Sequence, residues 1–308
     1  MHGIHQADKP SRSRLNPVKK AELLPSMFRR VGMEYAGYIK PKDLKELTIA
    51  IKGAGDIASG IAWSLFQAHM RRLFMLEVPQ PLAVRRTVSF CEALIDGQIE
   101  VEGVEAVKAE SQEEIRKAWN QGKIPVLADP KWSTIEQIKP DVVVDAIMAK
   151  CNLGTHLNEA PLVIGLAPGF VAGSDVHMVI ETNRGHNLGR IISSGAAEPD
   201  TGIPGDVAGY RDERVLRAPA EGTFNAIGHI GDLVTCGDLI GHTDEREIRA
   251  AVNGKIRGLI RSGTHVTGGL KVGDIDPRGA AVSCETISDK SLAVARAVLE
   301  AILRVYNE

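Results

Sequence analysis

A chain of 308 residues, 44% of them apolar, exceeds the usual size of one domain and carries ample material for buried cores, so two domains are expected. Its net charge of −2 gives no overall reason to expect nucleic acid or an anionic membrane as partner, and no apolar run reaches the roughly 18 residues of a membrane span. Cys91, Cys151, Cys236 and Cys284 lie far apart without a C-x-x-C, which argues against a disulfide framework or a cysteine-rich zinc site and fits reduced thiols in the cytoplasm.

In chain order, residues 1–46 read as an N-terminal extension. Its first twenty residues are polar with a basic excess (Lys9, Arg12, Arg14, Lys19, Lys20), a solvated tail with no signal-peptide core. A β-branched run with Ile49 and Ile51 then enters Gly53-Ala54-Gly55, and a helical pattern of Ile57, Ile61 and Leu65 leaves it. Gly53, Gly55 and Ala58 fit G-x-G-x-x-G/A: the first position permits the turn, the second admits a phosphate to the backbone, and the third lets helix pack on strand. The helix N-terminus offers free N–H groups to an anion. Asp56 complicates this, because a carboxylate in the first turn suits the helix dipole but repels a phosphate. Glu77 closes the run Leu73–Leu76 at the place where dinucleotide folds put the acid that bonds a ribose.

The loop after Glu77 opens a helix expected to reach about Leu94; Arg85 or Arg86 there meets an anion or is a solvated face. A small hairpin turns at Glu102-Gly103, and a helix follows over 111–120. Strands end in Asp129 and Asp145, each either facing a site or capping a helix. Further strands are expected at 162–165 and 176–181. The second runs into the polar loop 182–190, where Asn183, Arg184 and His186 among glycines could bond a ligand from several sides. His177 reads as a sheet histidine, too far from His186 for a local metal motif, and no metal site is expected.

Residues 195–213 form a Gly/Pro-rich connection. Beyond it the sequence repeats at an offset of 32: Gly222, Gly231, Val234, Thr235, Gly237 and Gly241 recur as Gly254, Gly263, Val266, Thr267, Gly269 and Gly273. Two units too small to fold singly should pair about a pseudo-twofold axis. The repeat resembles the biotinyl/lipoyl-like barrel-sandwich domain, but its central hairpin, 242–247, lacks the carrier lysine, so no covalent biotin or lipoate is expected. Asp274, Asp276 and Arg278 form an ion-pair turn or line a pocket. Lys290 opens a last helix with an apolar face of Leu292, Ala295, Val298, Leu299, Ile302 and Leu303, capped by Ser288 or Asp289.

The expected fold is α/β: a Rossmann-like parallel sheet binding a nucleotide or cofactor (47–194), the connection, a small all-β barrel-sandwich module (214–276), and a C-terminal segment and helix (277–308) packing on the first domain.

The stretches 51–60, 77–88, 181–189 and 271–278 together resemble the YqeB-type accessory proteins of selenium-dependent molybdenum hydroxylases, distant relatives of XdhC/CoxI maturation factors. The resemblance covers about residue 47 to the C-terminus. It implies a factor that matures or inserts the molybdenum cofactor, in a selenium-containing form or not, with a hydroxylase subunit or cofactor biosynthesis proteins as partners. It supplies no catalytic residues. The ligand is then a molybdopterin-type cofactor or an NAD(P)-like dinucleotide, and Cys91, Cys151 and Cys284 are candidate thiolates for chalcogen transfer or structural cysteines. Two alternatives stand beside it: an NAD(P)-dependent oxidoreductase, without a Tyr-x-x-x-Lys, and a non-catalytic assembly scaffold. A homo-oligomer is compatible with each.

Overall fold

The computed structural model describes residues 42–307, so the basic tail and most of the 1–46 extension lie outside them. The central strand is β1 (Thr48–Lys52), whose Ile49, Ala50 and Ile51 are fully buried. It pairs in parallel with β2 (Arg72–Glu77) on one side and β6 (Val142–Asp145) on the other. Adding β3 (Gln98–Val101), β4 (Val104–Lys108), β5 (Ile124–Ala128), β7 (Leu162–Leu166), β9 (Met178–Ile180) and β10 (Ile191–Ile192) gives one sheet in the order β10-β9-β7-β6-β1-β2-β5-β4-β3. A short pair, β8 (Val171–Ala172) with β11 (Gly195–Ala196), stands apart from it.

Eight strands follow: β12 (Val215–Arg217), β13 (Gly222–Ala226), β14 (Leu233–Val234), β15 (Leu239–Thr243), β16 (Arg246–Arg249), β17 (Gly254–Leu259), β18 (Thr264–Val266) and β19 (Lys271–Asp276). They form two four-stranded sheets, β12-β19-β17-β14 and β16-β15-β13-β18. Exchanging each strand of the first repeat for its counterpart in the second converts one sheet order into the other. Neither repeat makes a sheet alone, because each contributes two strands to each sheet. The side chains between them, Phe224, Ile240, Ile256, Val266, Val272 and Ile275, are almost wholly buried.

The expected parallel Rossmann-like sheet followed by a barrel-sandwich module is corrected. The main sheet is large and mixed: β3 runs antiparallel to β4, and β10 antiparallel to β9. The cause is local. Glu102 and Gly103 both adopt positive φ, the two-residue turn that reverses a strand beside itself, and a chain so connected cannot pair in parallel. The small sheets are also tied to the segment that follows β2. Leu259 N–H donates to Val84 O at 2.7 Å, and Gly258 leaves room for that approach, since a Cβ there would lie 2.8 Å from Val84. The expected helix to Leu94 is accordingly broken into 3-10 turns at Arg86–Val88 and Phe90–Glu92 and one α-turn at Ala93–Asp96.

The last helix (Asp289–Tyr306) is capped by Ser288, whose Oγ accepts from Ser291 N–H at 3.0 Å. It crosses the helix Asp56–Gln67 closely enough that a Cβ on Gly60 would fall 2.8 Å from Ser291 Cβ. Its buried face is therefore rotated toward small residues: Ser291, Ala295, Ala297, Val298, Ala301 and Ile302 are buried, while Leu292, Leu299 and Leu303 are only partly so. No described helix is long and apolar enough to cross a membrane.

Candidate functional site

The glycine turn lies at the end of β1, as the sequence implies, but its two glycines do different things. Gly53 has φ +92°, and a Cβ there would meet Ala146 O at 3.0 Å; the crossing backbone is the chain's own, arriving from β6. Gly55 starts the helix with no side-chain cap and has nothing within 4 Å of its Cβ position, so approach from that side is open. Ala58 is buried in the helix packing. Glu77 reaches back onto the turn: one oxygen accepts from Ala54 N–H at 2.9 Å and the other from Val78 N–H at 2.8 Å.

Other strand-end acids are committed in the same way. Asp129 accepts from the Thr134 N–H and hydroxyl, each at 2.7 Å, capping the next helix. Glu181 accepts from Asn183 N–H and Glu198 N–H, each at 2.7 Å. Asp145 accepts from Thr155 Oγ1 at 2.6 Å, and burial pushes its carboxyl up. Beside it stands Lys52, fully buried, with Nζ at 2.7 Å from both Thr155 Oγ1 and Glu159 Oε1 and 5.1 Å from the Trp132 ring centroid. Sequence reasoning passed over Lys52, because a lone lysine ending an apolar strand carries no local signal.

A second polar assembly lies where the glycine-turn helix, the 84–86 segment, β17, the end of β19 and the start of the last helix meet. Asp56 accepts from Ser291 Oγ at 2.8 Å and lies 3.3 Å from Arg85 Nη1. Arg85 is buried; its Nη2 donates to Thr286 O at 2.8 Å, while its Nε has no partner. Arg257, on β17, is only 13% exposed at its side chain and makes no hydrogen bond among the described residues. Its nearest carboxylate, Asp276 Oδ2, is 3.8 Å away, beyond hydrogen-bond reach. That carboxylate is already gripped by Arg278 at 2.9 and 2.7 Å. Burial tends to raise Asp276, and the Arg278 bonds outweigh it and hold it below the usual carboxylate range. Burial and the neighbouring Arg85 push the Arg257 guanidinium down.

Arg184 forks onto Asp289 at 2.7 and 2.8 Å, which holds that carboxyl well below the usual range. Lys290, the next residue, is half-buried, and its ammonium has no hydrogen bond or ion pair among the described residues. Of the predicted site residues, Asp56 lies within electrostatic reach of both Arg85 and Arg184. Asn183 is tied to Glu198 at 3.0 Å, and His186 is exposed and makes no hydrogen bond with these groups. Asp276 and Arg278 are both an ion-pair turn and part of this junction. Arg257 was missed. The signal was available in the repeat, where Arg257 and Gly258 stand at the positions of Asn225 and Ala226.

The remaining candidates are quieter. Burial pushes the Cys91 thiol up, an inert thiol rather than a transfer group. Cys284 is buried and Cys151 exposed. Among the described residues no group of three or more His, Cys, Asp and Glu side chains is arranged to hold a metal ion. His177 is buried just before β9; its Nδ1 accepts from Val163 N–H at 2.7 Å, and burial lowers its pKa to about 4.

No protein-family model matches the chain. Over 260 residues it is 48% identical to "Uncharacterized protein YqeB" of Escherichia coli K12, a match covering 84% of this chain and 48% of that protein. The chain thus spans about half the length of that relative. Among solved structures it is similar to a succinylglutamate desuccinylase/aspartoacylase from Rhodobacter sphaeroides (20% identity, 28% of this chain and 29% of that one, TM-score 0.19). It is also similar to the product-bound ectoine utilization protein EutE (DoeB) from Ruegeria pomeroyi (12%, 74% and 56%, 0.21) and to TcdA (CsdL) (14%, 86% and 90%, 0.33).

These findings correct two expectations. The neighbours are desuccinylase/aspartoacylase-type and other proteins, none of these three a biotinyl or lipoyl carrier, so that label is withdrawn from the two small sheets. None concerns molybdenum or selenium either, and the expected role in maturing a molybdenum hydroxylase is withdrawn with it. At such identities and TM-scores the likenesses bring no activity of their own to this chain. The comparisons identify a chain with a YqeB-like sequence over most of its length.

Proposed function

We propose that the chain binds a phosphate-bearing small molecule at the junction around Arg85 and Arg257. The observation that carries this reading is Arg257, nearly buried, beside a second arginine, and without a hydrogen bond. Burying a cation costs several kcal/mol unless acceptors compensate it, and buried polar groups almost always have partners. Asp276, the obvious acceptor, is taken by Arg278. A ligand oxygen would supply the missing acceptor.

Phosphate suits the place better than a neutral group does. A guanidinium forks onto phosphate oxygens with two parallel bonds, and the uncapped N-terminus starting at Gly55 favours the same charge. Asp56, an anion at that terminus, is already neutralised by Arg85 and hydrogen-bonded by Ser291, which limits its repulsion. An NAD(P)-like dinucleotide is one member of the ligand class.

Calorimetry on the whole chain with inorganic phosphate, AMP and NAD tests the reading. Binding of at least one of them is expected, with a tenfold or greater loss in Arg257→Met, about 1.4 kcal/mol. No binding by the unaltered chain, or equal affinity in the folded variant, overturns it.

A further inference from the structure

We propose that Asp56 is an internal competitor for the phosphate: its carboxylate holds Arg85 and must turn away for the ligand to bind. The proposal rests on the anion-binding reading above and adds to it the regulation of that same site.

The segment that carries Arg85 and the strand that carries Arg257 are paired. Leu259 N–H donates to Val84 O at 2.7 Å, and Arg86 Nε donates to Leu259 O at 2.8 Å. The two guanidinium groups are thus borne on neighbouring stretches of backbone. Arg85 is fixed from its other sides. Its Nη2 donates to Thr286 O at 2.8 Å, and Ser89 Oγ donates to its carbonyl at 2.9 Å. Its side chain is only 7% exposed, and its Nε is buried without a partner. A cation held in this way stays where it is; what can change is the anion in front of it.

Asp56 is a loose occupant. Charge-assisted bonds between arginine and carboxylate usually measure about 2.7–2.9 Å. Arg184 meets Asp289 at 2.7 and 2.8 Å, and Arg214 meets Asp274 at 2.6 Å. By contrast a single nitrogen of Arg85, Nη1, lies 3.4 and 3.3 Å from the two Asp56 oxygens, with no fork. The Asp56 side chain is 28% exposed, so it can turn into water at small cost. Ser291, whose Oγ donates to Asp56 at 2.8 Å, has Ser288 Oγ at 2.8 Å as another partner. Two anions in front of one cation repel each other, so carboxylate and phosphate exchange rather than share it. Arg85 stays paired throughout the exchange. An anion that binds no better than a carboxylate gains nothing by displacing Asp56.

Calorimetric titration of the whole chain with inorganic phosphate tests this. Asp56→Asn should tighten binding about tenfold, and Asp56→Glu, which keeps the charge, should leave it within about twofold. The gain should vanish when Arg257→Met is added. Should Asp56→Asn not fold, Ser291→Ala keeps the carboxylate but removes the hydroxyl that orients it, and should tighten binding about two- to threefold. A folded Asp56→Asn with no gain overturns the competition, as does Ser291→Ala with no gain where Asp56→Asn does not fold. In either case the anion reading survives if Arg257→Met still weakens binding. An equal gain in Asp56→Glu overturns the competition too, because the charge is then not the competitor. A gain that persists without Arg257 does the same, because the phosphate then sits elsewhere. No binding by either the unaltered chain or Asp56→Asn overturns both readings.

Discussion

Two of the buried charged assemblies among the described residues are built on opposite principles. Around Lys52 the cation and its acceptors close on one another: Nζ reaches Thr155 and Glu159, and Thr155 passes the link to Asp145. Around Arg257 the acceptors are taken by other cations, and a guanidinium is left over. The first pairs its cation within the chain, although Glu159 Oε2 has no partner, and belongs to the fold. The second is incomplete in a place where the Cβ position of Gly55 faces open space. Burial alone does not separate structure from function here, since both assemblies are buried; what separates them is whether the cation finds hydrogen-bond partners within the chain.

The sharpest way to break that comparison is to remove one cation from each. Lys52→Met leaves Asp145 and Glu159 in the interior with no cation between them, and should cost about 3–5 kcal/mol, read as a fall in the urea midpoint. Arg257→Met removes a charge that nothing in the chain pairs closely, and should shift stability by less than about 1 kcal/mol or raise it. Similar losses in the two variants would mean that Arg257 is also a structural charge.

What the sequence disclosed follows the same division. The glycine turn, the Glu102-Gly103 hairpin and the 32-residue repeat are local or periodic, and each is found in the structure at the residues that signalled it. The antiparallel edge at β10 was not legible, because that strand has two residues and too little pattern to show its direction. The junction was legible only in pieces. Asp56, Arg85 and Arg184 each have a motif nearby, whereas Arg257 gains its meaning from Arg85 and Asp276, which reach it through tertiary packing. Glu77 shows the converse. Its position after β2 fits a ribose acid, yet both its oxygens hold backbone N–H groups.

Glu77→Ala sharpens that point. With two charge-assisted bonds lost, stability should drop by roughly 1.5–3 kcal/mol. If capping the turn is its whole role, the ratio of AMP to inorganic phosphate affinity should stay where it was. A loss confined to AMP would restore the ribose contact that its position in the sequence suggests.

The smallest effect separates the two glycines of one motif. Gly53→Ala should cost about 1–3 kcal/mol, because φ +92° is strained for alanine and its methyl would press on Ala146 O at 3.0 Å. Gly55→Ala meets neither obstacle. Its backbone is extended, with φ −75° and ψ −170°, and its Cβ position is empty, so stability should stay within about 0.5 kcal/mol. A phosphate drawn to the start of the helix would, however, have to approach past the new methyl. Thermal unfolding that is unchanged while phosphate affinity falls would therefore place the ligand against the turn. Affinity unchanged as well would move it away from the helix start, toward Arg257 alone, and the glycine motif would then be read entirely as the chain making room for its own crossing at Ala146.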